Sequence, residues 1–410
     1  MRILFISHYF PPEVNAPASR THEHCRRWVA EGNEVTVITG VPNHPAGVLF
    51  EGYRNDWIQE EDVDGIRVIR TRMFLAANAG FAKRILNYVL FGLTATWASR
   101  RVRSPDLVVA TTPQFFCGLA GAVIARLKSR PFILEVRDLW PKSIVELGQL
   151  KEGLILGLLE RLERWLYTSA AGIVVNTRAF IDHIAASGYP REEIELIYNG
   201  IDPKQFRPQP PSESLRAQHA LSEGTSVAYI GTLGLAHALE CFIEAAALLK
   251  SRPELSFLLI GDGAERAKLE SLVRDRGLSN VRLLGLQPRP TMPAWIASVD
   301  ILLVSLRDLP VFETVIPSKI FEFLAQEGKV IVAARGEIRR MTEEAGVAWG
   351  IDPENPEALA EAIQEILAKP GEAERRAKAG RLWVEREFVR DTLALRMLRF
   401  MEKILQRGPC

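Results

Sequence analysis

Cysteine is scarce in this chain. There are four in 410 residues (Cys25, Cys117, Cys241 and Cys410), far apart and without a C-x-x-C pair. That spacing excludes a disulfide framework and a zinc-ribbon type of site, and it fits a reducing cytosol. Long hydrophobic runs are missing too: no uncharged apolar stretch reaches the roughly 20 residues of a bilayer-spanning helix. The formal net charge is only +1, so nucleic-acid binding by overall electrostatics is excluded and any basic patch must be local. A complete dinucleotide fingerprint is also lacking. After Gly261 and Gly263 in "IGDG", the place for the next glycine is taken by Arg266, which argues against a nicotinamide or flavin enzyme. No D-x-D motif stands at a strand exit; Asp62 and Asp64 in "EDVD" read as part of a solvated turn.

What is present is an ordinary globular composition, 47% hydrophobic and 25% charged, at a length that predicts two domains. "MRILFISHYFPPE" reads as a first β-strand and not as a signal peptide, so the expected location is the cytosol. Short β-branched runs alternate with amphipathic ones: "RILFIS", "EVTVITG", "IRVIRT", "DLVVATT", "PFILEVRD", "GIVVNT" and "IELIYNG" in the first half. "SVAYIGTL", "SFLLIGDG", "VRLLGLQ", "DILLVSL", "KVIVAARG" and "VAWGI" follow in the second. Alternation of this kind predicts an α/β chain with parallel sheets covered by helices on both faces. Pro203, Pro208, Pro210 and Pro211 interrupt the pattern and mark a linker. The expected domains are residues 1–205 and 206–389, with a terminal helix over 390–410 packing back on the first. Ligands of two such domains bind at the carboxyl ends of the strands.

Several stretches there carry chemistry, each with a plainer reading beside it. Gly261 and Gly263 form either a tight strand-to-helix turn, the favoured reading, or a close backbone approach to a nucleotide. In "VIPSKIFEF", Pro317 suits a helix start. The N–H groups around Ser318, Lys319 and Ile320, with the Lys319 charge, make an anion site. Glu322 can accept from ribose hydroxyls. The alternative is a capped core helix with Lys319 and Glu322 exposed. "THEHC" offers His22 and Cys25 on one helix face but His24 on another, which speaks against a metal site. "FAKRILNYVLFGLTATWASRRVR", residues 81–103, has basic ends, aromatics and no acid. It suits either a covering helix or one lying on an anionic membrane surface.

"HYFPPEVNAPASR", "EVRDLWPKS", "YNGID", "YIGTLG", "IGDG" and "VIPSKIFEFLAQEGKVIV" together resemble glycosyltransferase family 4, the GT-B retaining type. Within it they are similar to the bacterial subgroup that builds surface polysaccharides, such as the O-antigen N-acetyl-L-fucosaminyltransferase. The resemblance implies two Rossmann-like domains facing a cleft, the first binding the acceptor and the second the donor. It implies a nucleotide diphosphate sugar, UDP foremost, as co-substrate, a polyprenyl-diphosphate-linked saccharide as acceptor, and no metal or other cofactor. Donor-binding positions would be Gly231, Thr232, His237, Gly261, Gly263, Leu286, Thr314, Pro317, Ser318, Lys319 and Glu322. Acceptor-binding positions would be Asn15, Ala16, Asn43 and His44, and the catalytic region Arg137, Asp138 and Glu135.

The chain departs from the family pattern at four of these places. Thr314 stands where the first of two glutamates is usual, with Glu313 one residue off. Thr232 and His237 stand where Arg and Lys often grip the pyrophosphate. Arg137 replaces a histidine. The expectation is therefore that Arg137 and Lys319 hold the diphosphate, with His237 as a proton-dependent donor, while a salt bridge from Arg137 to Asp138 or Glu135 is the plainer alternative. Thr314 hints at an acetamido or deoxy sugar. A GT-B nucleotide-sugar 2-epimerase and a non-catalytic sugar-nucleotide binder are the rival readings.

Overall fold

A computed structural model describes residues 1–44, 47–75, 81–112, 114–146, 153–219, 221 and 224–407. Cys410, the end of the expected 390–410 helix, Pro45 and Ala46 lie outside the described residues, as do the side chains of Phe81, Ala82 and Arg84 in the 81–103 segment. The chain divides into two compact units, Met1–Tyr198 with Arg390–Cys410, and Asn199–Val389.

The first unit is built on an eight-stranded sheet: β1 (Arg2–Ile6), β2 (Glu34–Gly40), β3 (Ile58–Val63), β4 (Ile66–Thr71), β5 (Leu107–Thr111), β6 (Phe132–Val136), β7 (Gly172–Val175) and β8 (Ile194–Leu196). Their order is β3-β4-β2-β1-β5-β6-β7-β8. All pairings are parallel except β3 with β4, a hairpin. Its turn is Asp64–Gly65, both at positive φ, which is the Asp-Gly chemistry of a tight hairpin turn. "EDVD" is therefore not a solvated turn throughout. Glu61 and Asp62 belong to an edge strand that sequence reading missed, because its charged composition hides the alternation. β1, β5 and β6 are buried along almost their whole length, as strands covered on both faces must be.

The second unit has six strands, all parallel: β9 (Thr225–Ile230), β10 (Leu255–Ile260), β11 (Val281–Gly285), β12 (Ile301–Ser305), β13 (Lys329–Ala333) and β14 (Trp349–Ile351), in the order β11-β10-β9-β12-β13-β14. These are the six runs expected. The terminal helix Arg390–Gln406 belongs to the first unit, also as expected. Its Leu393, Met397 and Met401 pack with Trp28 and Val35, Trp28 Nε1 donates to the Ala394 carbonyl at 2.8 Å, and Arg390 pairs with Glu23.

The unit boundary falls at Tyr198/Asn199, not at 205/206. Ile201 N–H bonds to the Phe388 carbonyl at 2.9 Å, and Phe206 is buried beneath the Arg289 guanidinium, 5.2 Å from the ring centroid. These contacts tie the start of the proline-rich stretch into the second unit.

Candidate active site

In each sheet the strand order reverses direction once, beside β1 and β5 in the first unit and beside β9 and β12 in the second. A crevice opens at the carboxyl ends of strands where this happens, and ligands of open α/β sheets bind there.

In the second unit β9 leads into Gly231 and Thr232, and β10 into Gly261. Both glycines have positive φ. A Cβ on Gly261 would lie 1.8 Å from the Gly231 carbonyl oxygen, and one on Gly263 would lie 2.3 Å from that of Leu233. Leu233 N–H donates to the Asp262 carbonyl at 2.9 Å. The two strand exits are thus stitched backbone to backbone. The glycines of "IGDG" are required by this turn packing, in line with the plainer reading of that motif.

Gly231 has another neighbour. A Cβ there would stand 2.4 Å from Lys319 Nζ, so glycine leaves room for the ammonium. Nζ lies 3.9 Å from the Tyr229 ring centroid, a cation–π contact. It is enclosed and has no hydrogen-bond partner among the described residues, although the residue as a whole is half-buried. Burial lowers its pKa to about 7, with the charge of Glu322 opposing. An ammonium has three donors to satisfy, and here a buried one lacks any.

His237 follows in the turn Leu235–His237. Its Nδ1 lies 3.1 Å from the Ser305 carbonyl. A carbonyl only accepts, so Nδ1 carries the hydrogen and Nε2 presents a lone pair. Burial and Lys319 lower the His237 pKa to about 4. The expected proton-dependent donor is accordingly a neutral acceptor at physiological pH.

The helix bearing Lys319 is short, Lys319–Ala325. Ile320 N–H already bonds to the Pro317 carbonyl at 3.1 Å, and Phe321 N–H to that of Ser318 at 3.2 Å. Its first turn therefore offers fewer open donors than the sequence implied, and Ile320 is not one of them. Glu322 is buried and meets Arg289 through both carboxylate oxygens, Nη1 to Oε2 at 3.0 Å and Nη2 to Oε1. Sequence reading missed Arg289, which lies far from Glu322 along the chain in "LQPRPT". Thr314 Oγ1 donates within its own turn to the Val311 carbonyl at 2.7 Å. The Thr232 carbonyl accepts from Tyr229 Oη at 2.8 Å. Leu286 is 77% exposed.

In the first unit Arg137 is not directed to an outside anion. Its side chain is 4% exposed and pairs with Glu135, Nη1 donates to the Ile197 carbonyl at 3.2 Å, and its N–H bonds to Thr112 Oγ1 at 2.7 Å. Arg20 Nη2 reaches the same carboxylate at 3.2 Å. Burial would raise the Glu135 pKa, but Arg137 and Arg20 outweigh it and hold it well below the usual range. The salt bridge weighed as the plainer alternative is the one observed. Asp138 sits half-buried just beyond β6.

The acceptor-loop residues gather at the exits of β1 and β2. Asn15 Oδ1 accepts from Ala18 N–H at 2.9 Å, capping the helix that begins at Ala16. The N–H groups of Asn43 and His44 both donate to Glu13 Oε1 at 3.0 Å. Tyr9 stacks edge-on with His44, ring centroids 5.1 Å apart, and His8 with Tyr88 at the same spacing. Burial raises the Glu13 pKa and takes that of His8 down to about 3. Sequence reading singled out none of His8, Tyr9 and Glu13 as site residues, though "HYFPPE" contains all three. His22 bonds to Asp64 at 2.7 Å, while His24 is buried against Trp28. Among the described residues no three His, Cys, Asp or Glu gather in a metal-binding group.

Residues 15–200 match the family described as glycosyl transferase 4-like domain, and residues 211–383 match glycosyl transferases group 1. The chain is 27% identical over 382 residues to WcaI of Escherichia coli strain K12, a protein named as a glycosyl transferase of colanic acid biosynthesis. That match spans 90% of this chain and 93% of WcaI. Among solved structures, sucrose-phosphate synthase from Thermosynechococcus elongatus superposes with a TM-score of 0.77 at 19% identity, covering 99% of each chain. Anabaena HepE in complex with UDP-glucose gives 0.72 at 17% identity, covering 98% of this chain and 99% of HepE. With matches to both domain families along most of its length, the chain belongs to the GT-B glycosyltransferases, a glycosyl transferase 4-like domain followed by a group 1 domain.

Proposed function

We propose that this enzyme moves a sugar from a UDP-sugar to a polyprenyl-diphosphate-linked saccharide in cell-surface polysaccharide synthesis, with retention of configuration and no bound metal. The observation that carries the reading is the Lys319 ammonium, buried beside Gly231 at the switch point of the second sheet with no hydrogen-bond partner among the described residues. An enzyme that expels a diphosphate needs positive charge waiting where negative charge develops, and Lys319 supplies it. Thr232 and the backbone at Gly231 flank the diphosphate, the Glu322–Arg289 pair meets the ribose, and His237 Nε2 accepts from a sugar hydroxyl. Arg137, already engaged by Glu135, is left out of the diphosphate's partners. It sets the ion cluster beside Asp138 instead.

In this reading the bond from the anomeric carbon to the diphosphate oxygen breaks as the acceptor hydroxyl attacks the same face. The departing diphosphate takes the hydroxyl proton. Asn15, Ala16, Asn43 and His44, with Tyr9 and Tyr88, receive the acceptor saccharide. Thr314 is satisfied within its own turn and offers no charged grip, which suits an acetamido or deoxy sugar. The UDP-glucose bound by HepE and the colanic acid biosynthesis in the name of WcaI support the donor and the pathway class.

The test is a melting-temperature screen over UDP-, GDP- and dTDP-sugars, followed by transfer to polyprenyl-diphosphate saccharides with the product anomer read by NMR coupling. UDP-sugars should raise the melting point most, and the anomer should match the donor's. Preference for GDP-sugars or an inverted product would refute the corresponding part. Lys319→Met should lower turnover by about 10²–10³ with the fold intact.

A further inference from the structure

We propose that a groove on the first unit, between helices Phe81–Ala98 and Phe115–Lys128, binds one hydrocarbon chain of an anionic membrane lipid, with Arg100 and Lys128 holding the lipid phosphate. The groove encloses about 580 Å³, within the ordinary range of small-molecule sites, about 300–1,000 Å³. Its floor is made of small residues: Gly92, where a Cβ would meet the Phe116 carbonyl oxygen at 3.2 Å, and Ala120. Glycine thus lets the two helices approach. The walls are Leu93, 65% exposed, Trp97, 44%, and Leu127, 71%. Apolar side chains of this size grouped along one groove are unusual on a surface that only faces water.

Charge identifies the occupant. Arg100 and Lys128 line the same groove. Lys128 Nζ is held by the Val102 carbonyl at 2.7 Å, which satisfies one donor but leaves its charge uncompensated. Among the described residues no carboxylate pairs with either cation. The reason is in the sequence: between Gly65 and Leu134 Asp106 is the single acidic residue, and it is engaged by Arg2 at 3.1 Å. A pairing of uncompensated cations with an apolar trough matches a phosphate joined to a hydrocarbon chain. It does not match a protein helix, which would bring its own polar face to the cations. No helix among the described residues is long and apolar enough to cross a membrane, so this would be a surface attachment. The proposal deepens the reading of a lipid-linked acceptor, because it would hold the enzyme where that acceptor lies. Lipid binding is measured without donor or acceptor, so its failure and that of the transfer assay are distinguishable.

The experiment is co-sedimentation of the full chain with phosphatidylcholine vesicles, with and without phosphatidylglycerol, together with quenching of tryptophan fluorescence by lipids brominated on the acyl chain. Binding should be tighter on anionic vesicles by about tenfold or more. The bromolipid should quench a component that disappears in Trp97→Phe. Leu93→Ser combined with Leu127→Ser, both exposed and so harmless to folding, should weaken binding by about tenfold. Arg100→Gln with Lys128→Gln should erase the anionic preference while sparing the quenching of bound protein. Absence of vesicle binding overturns the proposal. So does binding that the serine pair leaves unchanged, since charge alone would then explain it. Loss of a dimer in the serine pair without vesicle binding would make a second copy the occupant and also overturn it.

Discussion

Raising the pH above 7 is expected to weaken binding of a nucleotide diphosphate sugar by about tenfold per unit, because the site must first recharge Lys319. Burial brings this lysine down to about 7 without a ligand, and a diphosphate against Nζ would return it toward its ordinary value. At pH 8 only about one molecule in ten then carries the ammonium, so binding takes up about 0.9 proton and loses about 1.4 kcal/mol. A UDP-sugar is the right probe, since its diphosphate has no proton to lose in this range, whereas a terminal phosphate titrates near pH 6. The neighbouring His237 and Tyr229 stay silent: burial and Lys319 take His237 down to about 4, and burial pushes the Tyr229 phenol upward. Calorimetry in two buffers of different ionisation enthalpy counts the protons directly. Lys319→Arg, which cannot deprotonate, should bind with a flat pH profile. The unliganded protein should show the opposite sign. The unfolded chain holds the Lys319 proton up to about pH 10.4 and the folded one releases it near 7, so stability should rise with pH across that window. No proton uptake at pH 8, with affinity constant from 7 to 9, would refute the reasoning.

Gly261→Ala should destabilise the second unit by several kcal/mol, about 3 or more, because its Cβ would meet backbone and not a yielding side chain; denaturant melts check this. Arg289→Ala should weaken UDP-sugar binding and cost about 1–3 kcal/mol of stability by stranding the buried Glu322 carboxylate, and titration of both quantities separates the two effects. Glu135→Gln should cost about 3–5 kcal/mol, since it leaves Arg20 and Arg137 facing each other in the interior. The same carboxylate sets an acid limit. Its folded pKa is depressed, so its contribution is complete above the unfolded value of about 4.3 and is lost as pH falls below that; the acid-unfolding midpoint of the Gln variant should respond less to pH there. Removing residues 390–407 should unfold the first unit, because Trp28 loses the helix that covers it and accepts its N–H bond.

Of the fourteen strands among the described residues thirteen could be read from the chain, because each is written as a short run rich in apolar and β-branched residues. The edge strand Ile58–Val63 was illegible for the complementary reason: half exposed, it is spelled with Gln, Glu and Asp. The domain boundary was misplaced by a few residues since prolines mark irregular backbone but not which core captures it. Ile201 and Phe206 settle that by packing.

Lys319 and Glu322 could be picked out as a pair from "VIPSKIFEF", and so could the unusual Thr314. Their states could not. A lysine's pKa depends on what encloses its nitrogen, and the enclosure comes from Tyr229 and the missing side chain of Gly231, nearly ninety residues earlier. Arg137 shows the converse. Its sequence neighbours named both possible fates, and the choice was made by Glu135, whose position one strand-pleat away lets it reach Arg137 and Arg20 together. Local pattern thus determined the sheet, the helices and the inventory of charged groups. Tertiary packing decided which charges neutralise one another and left the Lys319 ammonium without a hydrogen-bond partner among the described residues, because Coulomb energy and desolvation depend on distances through space that chain order does not encode.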